Sequence, residues 1–175
     1  LRAVIGPPLY QSYTQMYGLS HEQAEAAIAA YRADYAALGY RQNRLYDGVL
    51  PMLKALREAD LFIALATSKP EGPTMDILRH FGIELFFDFV AAASMDHSRS
   101  EKDKVIAYAL EHAPGIPREQ ILMVGDRRYD LLGAQAHGLD GAGVLYGYGS
   151  REELESCPHV FLAQTPQELT SFLLD

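Results

Sequence analysis

The stretch ILMVGDRRYDLLGAQAHG, Ile121–Gly138, decides the fold. Four apolar residues run directly into Gly125-Asp126, a second acid follows at Asp130, and an amphipathic run then closes on Gly138. A short apolar run bounded by a turn signal and followed by a helical pattern is a buried strand feeding a helix. The rest of the chain repeats this grammar. VLPMLKALREAD reads as a helix, LFIALAT as a strand, PEGPTMDILRHFG as a helix ending at Gly82, and FVAAAS as a strand. EKDKVIAYALEHA is a helix, GAGVLYG and HVFLAQ are strands, and TPQELTSFLL is a capped final helix. Strands alternating with helices predict an α/β fold with a parallel sheet and right-handed crossovers. The strands are apolar throughout, which predicts a sheet covered on both faces.

The first part of the chain reads differently. Up to about Tyr46 it is helical: Gly6-Pro7-Pro8 makes a turn, LYQSYTQMYG is a short helix closed by Gly18, and Ser20 and Gln23 fit a capping box opening an Ala-rich helix that ends near Gly39. Ala27, Tyr31 and Tyr35 recur on one face of that helix, where packing between helices is the expectation. Asp47-Gly48 then marks a turn.

The chain has 175 residues, a net charge of −8, a pI of about 5.2 and one cysteine, Cys157. That length suits one domain with a small subdomain. The acidic balance argues against binding a nucleic-acid polymer, whose footprint is a basic patch. A lone cysteine excludes an internal disulfide, and a reducing, cytoplasmic location is the expectation. No apolar run approaches the roughly 18 residues of a membrane-spanning helix, and LRAVIGPPLY lacks the pattern of a signal peptide. The first residue is Leu rather than Met.

In open α/β sheets ligands bind beyond the carboxyl ends of the strands. Thr67-Ser68-Lys69 ends one strand, Arg99 and Lys102 follow another, and Asp126 and Asp130 follow a third. Each has a structural alternative. Thr67 or Ser68 would cap the next helix, Lys102 would be solvated, Asp126 would cap a helix, and Asp130 would be a first-turn acid favoured by the helix dipole. Two acids after a buried strand also suit Mg²⁺, which takes one or two protein carboxylates together with water and substrate phosphate.

Thr67-Ser68-Lys69, Lys102 about 35 residues later, and GDRRYD after another strand resemble the ordered motifs of the haloacid dehalogenase superfamily. IGPPL, YRADYAALG, YDGVLPMLKAL, ATSKP, SRSEKDKVIAYAL, MVGDRRYDLLGA and VLYGYGSREEL extend the likeness to its phosphoglycolate phosphatase-like branch, and most closely to 5′-nucleotidase-like members. The resemblance implies a Rossmann-like core, residues 47–175, under a helical cap that includes residues 1–46. It implies Mg²⁺-dependent hydrolysis of a small phosphorylated metabolite through an aspartyl-phosphate. By the same resemblance Thr67 and the Ser68 amide hold phosphoryl oxygens, Lys102 neutralises nucleophile and phosphate, Asp126 ligates Mg²⁺, and Asp130 completes the acidic cluster. Ile5-Gly6-Pro7-Pro8, Arg44, Tyr46 and Arg99 are candidates for substrate contact. Tyr146-Gly147-Tyr148-Gly149 reads as a turn before a Ser150/Glu153 capping box, with a place on the active-site rim as the alternative.

One departure stands out. The family's DxDx(T/V), source of the attacking aspartate, is absent from the sequence, and Asp47-Gly48 lacks the second acid two residues on. The expectation is a chain that begins inside the cap, without the nucleophile and the central strand, and inactive by itself. A catalytically silent fragment or pseudoenzyme that binds phosphorylated ligands or a partner is the alternative. A receiver domain fits the helices and the Thr67–Lys102 spacing poorly, and a dehalogenase does not need the Asp126/Asp130 pair.

Overall fold

The computed structural model describes residues 6–96, 98–113 and 115–175, the side chains at 36–38 and 40 excepted. Ile5 lies outside them. A short helix α1 (Leu9–Gln11) runs into a π-helical turn at Ser12–Met16, and α2 (His21–Leu38) follows. The capping box at its start is complete: Gln23 N–H donates to Ser20 Oγ at 3.3 Å, and Gln23 Oε1 accepts from Ser20 N–H at 3.0 Å. Gly18, with φ of +68°, makes the preceding turn. These helices lie against each other, and Ser12, Ala24 and Ile28 within them are buried. Of the tyrosine face, Ala27 and Tyr35 are half-buried, whereas Tyr31 is 41% exposed and stacks on Tyr35 of its own helix at 5.7 Å.

Then come α3 (Val49–Glu58), β1 (Ala64–Pro70), α4 (Glu71–His80), β2 (Phe89–Ala93), α5 (Lys102–Glu111), β3 (Leu122–Gly125), α6 (Arg128–Ala136), β4 (Asp140–Val144), α7 (Arg151–Glu155), β5 (Phe161–Ala163) and α8 (Pro166–Leu174). Every strand pair is parallel, as expected, but the strands form two sheets rather than one. β1 pairs with β2, and β3, β4 and β5 pair in that order. Among the described residues β1 and β3 do not pair.

Helices on both faces bridge the two sheets. Because successive residues of a strand face opposite ways, Leu65 of β1 packs with Leu53 of α3, while Ala66 packs with Ile106 of α5. In β3, Leu122 and Val124 join the cluster that includes Met52 of α3, whereas Met123 joins Ile106. Adjacent residues of α3 therefore engage different sheets on one face, and Ile106 touches both sheets on the other. Between β1 and β3 lies a cavity of about 150 Å³, lined by Ala64, Ala66, Leu122 and Met123 beneath Ile106 and Leu110.

Full cover was expected for every strand. Ala91–Ala93 of β2 and Gly141–Val144 of β4 are buried, but β1 and β3 have no buried residue. Both strands flank the unpaired gap between the two sheets and the cavity that fills it, so each lacks cover on the side facing the other.

Candidate active site

Thr67, Ser68, Lys102, Asp126 and Asp130 line one cavity of about 820 Å³, roofed by residues of α1, the π turn and α2. The fold places Thr67 within β1, where its regular pairing with β2 breaks, Lys102 at the start of α5, and the acids on either side of the β3–α6 turn.

None of the structural alternatives accounts for these residues fully. Neither Thr67 nor Ser68 caps α4: its N-cap is Pro70, with no side-chain hydrogen bond. Thr67 Oγ1 instead accepts from Lys69 N–H at 3.1 Å, which tightens the strand end. Lys102 is not solvated. Its side chain is 15% exposed, and its Nζ donates to Ala66 O at 2.9 Å and to Asp130 Oδ1 at 2.9 Å. The ammonium thereby ties α5 to the end of β1 and to α6.

Asp130 is 6% exposed, and both of its oxygens are engaged. Oδ1 takes Lys102, and Oδ2 accepts from Arg127 N–H at 3.0 Å. This bond satisfies a free amide at the start of α6. Gly125 is required here, because a Cβ at that position would overlap the Asp130 side chain. Asp126 is held differently. Arg127, not Asp126, is the N-cap of α6. Asp126 Oδ2 accepts from Tyr148 N–H at 2.7 Å, and its carbonyl accepts from Gly149 N–H at 3.0 Å. Oδ1 accepts no hydrogen bond among the described residues.

Tyr146-Gly147-Tyr148-Gly149 is therefore more than a turn: it is the support of Asp126. A Cβ on Gly147 would overlap the Asp126 side chain. Tyr46 and Tyr146 meet edge to face at 5.4 Å on the same side. Burial, with the Asp126 carboxylate nearby, pushes the Tyr146 phenol up to about 12. Burial, Tyr148 and Asp126 also raise Tyr46, with Arg44 opposing them.

Ser150 and Glu153 carry the sequence signal of a capping box. The Glu153 N–H does donate to Ser150 Oγ at 3.1 Å, but its carboxylate turns to the β3–α6 turn. Oε1 accepts from Arg127 Nε at 2.8 Å and from Arg128 N–H at 3.0 Å. Burial pushes this acid up, yet the Arg128 amide and the Arg127 guanidinium outweigh it and hold the carboxyl below its ordinary value. Sequence offered only the Ser-x-x-Glu signal, which predicts a cap and not this partner.

Arg99 and Arg44 do not line the cavity. Arg99 lies over the Tyr108 ring at 3.8 Å and donates to Ala92 O at 3.0 Å, fixing the β2–α5 loop. Gly6 and Pro7 do line it. Among the described residues, no group of three or more His, Cys, Asp or Glu is placed to hold a metal ion. No helix among them is long and apolar enough to cross a membrane.

The haloacid dehalogenase-like hydrolase family profile matches residues 1–144. The chain is 47% identical over 152 residues to the protein named tyrosine-protein kinase PtkA of Mycobacterium tuberculosis, covering 87% of this chain and 51% of that one. It thus spans about half the length of that relative. It is 37% identical over 156 residues to a 5′-nucleotidase of Pseudomonas aeruginosa, covering 89% of this chain and 70% of that one. A crystal structure of a predicted phosphatase from Clostridium acetobutylicum superposes with a TM-score of 0.94 at 36% identity, covering 99% of this chain and 80% of that one. The chain belongs to the haloacid dehalogenase-like hydrolase family.

Proposed function

We propose that this chain carries most of the site of an Mg²⁺-dependent phosphatase acting on a small phosphomonoester, with residues 1–46 as part of the cap and 47–175 as the core. The observation that carries this reading is the convergence of Thr67, Ser68, Lys102, Asp126 and Asp130 on one cavity. Phosphoryl transfer asks a protein mainly for positioning and for charge placed against the phosphoryl oxygens. Lys102, held by Ala66 O and Asp130, brings such a charge. The Thr67 hydroxyl and the Ser68 amide bind the transferring phosphoryl group.

The donor set fits Mg²⁺. Asp126 keeps Oδ1 available, while Asp130, with both oxygens engaged, orients Lys102 and acts on the metal indirectly. One carboxylate oxygen plus water and substrate phosphate is a coordination shell typical of Mg²⁺. Bound there, the ion supplies charge neutralisation of the phosphoryl oxygens. The attacking aspartate of the family has no counterpart in these 175 residues. The space between β1 and β3 is where a further parallel strand bearing it completes a single sheet.

Calorimetric titration of the chain with inorganic phosphate tests the site directly. The expected result is Mg²⁺-dependent binding that Lys102→Met and Asp126→Asn each weaken about tenfold or more. Binding indifferent to Mg²⁺ and to both substitutions overturns the reading. Binding without turnover is a second reading, favoured by the absence of DxDx(T/V), and phosphate release assays on a longer chain carrying that motif separate the two. The relative named a tyrosine-protein kinase adds a protein tyrosine as a second acceptor, beside water, for the phosphoryl group of the phosphomonoester, tested by phosphotyrosine formation on a tyrosine peptide incubated with the longer chain and that ester.

A further inference from the structure

A second cavity, of about 190 Å³, lies where α2 meets the end of β1 and the first turns of α4. It shares the wall formed by Leu9, Tyr31, Lys69 and Pro70 with the larger cavity, but none of Thr67, Ser68, Lys102, Asp126 and Asp130 lines it. The rest of its wall is mostly apolar, with Tyr35 and Pro73, and Arg32 and Asp76 bring further charge to it.

The polar groups at this cavity are nearly all donors. Arg32 Nε is buried and has no hydrogen-bond partner among the described residues. A buried donor on a permanent cation is costly to leave unpaired. Lys69 Nζ lies 4.4 Å from the centre of the Tyr35 ring and donates to its hydroxyl at 3.2 Å. That contact uses one donor of the ammonium and leaves the rest, and Lys69 pairs with no carboxylate among the described residues. The Tyr35 hydroxyl also accepts from Asn43 Nδ2 at 3.2 Å, so its own O–H is left to donate. Asp76, the one acid on the wall, is exposed and pairs with neither Arg32 nor Lys69. Two uncompensated cations thus meet at one small cavity in a chain of net charge −8.

We propose that this cavity binds a small organic carboxylate with a flat, apolar body, at a site separate from that of the phosphoryl group. The carboxylate accepts from Arg32 Nε, Lys69 Nζ and the Tyr35 hydroxyl, and the body lies against the tyrosine rings and Pro73. A carboxylate offers acceptors only, with two oxygens to share among these donors. Apolar walls with a few placed polar groups are the usual make-up of a small-molecule site, and about 190 Å³ admits a body the size of benzoate. Inorganic phosphate, with no apolar body, gains nothing from such walls.

The test is calorimetric titration of the 175-residue chain with benzoate, with its neutral isostere benzamide, and with inorganic phosphate. Benzoate is expected to bind one to a chain with a Kd of about 1 mM or below, and benzamide about tenfold more weakly or worse. Saturating Mg²⁺ and phosphate are expected to leave the benzoate site open. Arg32→Met keeps the apolar stem and removes the charge with its unpaired donor. It is expected to weaken benzoate about tenfold or more and to leave the binding of phosphate unchanged. The benzoate-to-benzamide ratio is read on the unsubstituted chain, so it decides even where the variant folds poorly. No binding of benzoate, benzamide bound as tightly as benzoate, or a folded Arg32→Met chain that binds benzoate like the parent overturns the proposal. So does simple competition between benzoate and phosphate, which would put both in the larger cavity.

Discussion

Lys102 and Asp130 form an ion pair 2.9 Å long in which neither side chain is more than 15% exposed, and it joins α5 to α6 beside the end of β1. A surface pair of this kind contributes little, but here each charge has lost most of its water. Removing one partner leaves the other buried without its counter-charge. Lys102→Met is therefore expected to cost about 3 kcal/mol in urea unfolding. Adding Asp130→Leu to that variant is expected to recover much of the loss, because an apolar pair does not need solvating. A cost below about 0.5 kcal/mol for the single variant would mean that water reaches the pair. Phosphate binding is expected to weaken about tenfold or more in both variants, which separates what the pair does for stability from what it does for the site.

Asp126 depends on a loop distant in sequence. Its Oδ2 is fixed by Tyr148 N–H at 2.7 Å, and Gly147 packs where any side chain would overlap it. Gly147→Ala must shift either the loop or the acid. The expected outcome is Mg²⁺ affinity reduced about tenfold or more, with a loss of stability of about 1–3 kcal/mol from overpacking. Mg²⁺ affinity equal to that of the parent chain, read by calorimetry, would show that the loop does not position Asp126.

Much of this arrangement is legible in local sequence, because strand–helix alternation and the residues that end strands are local signals. Thr67, Lys102, Asp126 and Asp130 each stand at or just beyond a strand end, so their convergence follows once the strands are parallel. What local pattern does not carry is partnership across the chain. Nothing in LFIALAT or ILMVG says that β1 and β3 leave their facing edges unpaired, since pairing is a property of two segments and a gap between them. Glu153 has a cap signal beside it, yet its carboxylate reaches 26 residues back to Arg127. Arg99 is at a position suited to an anion, but its long stem lets it settle on Tyr108 instead. Periodicity correctly puts Tyr31 on one face of α2; it does not say that the face opens on a cavity.

The Glu153 contact also sets an acid limit on stability. Its carboxyl is held below the ordinary 4.5, so the folded state binds the proton more weakly than the unfolded chain. The stability this contributes is complete above about pH 4.5 and is lost as pH falls through the lower folded value. Asp88 works in the same direction, held low by the Ile63 amide first and by Arg57. Glu153→Gln is expected to cost about 1 kcal/mol at neutral pH and to flatten the fall in stability between about pH 3 and 5. Thermal unfolding followed across that range checks it; an unchanged slope would assign the acid limit to other carboxylates.

The missing aspartate leads to the sharpest expectation. These 175 residues hold no DxDx(T/V), and β1 and β3, the strands that lead to Thr67 and Asp126, leave their facing edges unpaired. Charge and positioning without a nucleophile leave only residual rate enhancement, and loss of a nucleophile alone typically costs about a millionfold in kcat. The chain as it stands is expected to bind phosphate and Mg²⁺ and to release no phosphate from adenosine monophosphate, phenyl phosphate or phosphoglycolate. A chain extended by an apolar strand that carries the two aspartates is expected to restore turnover and to raise the unfolding temperature, since the new strand covers both free edges. Mg²⁺-dependent turnover that co-purifies with the 175-residue chain, and that Asp126→Asn abolishes, would instead give the acids at the end of β3 a direct part in the chemistry.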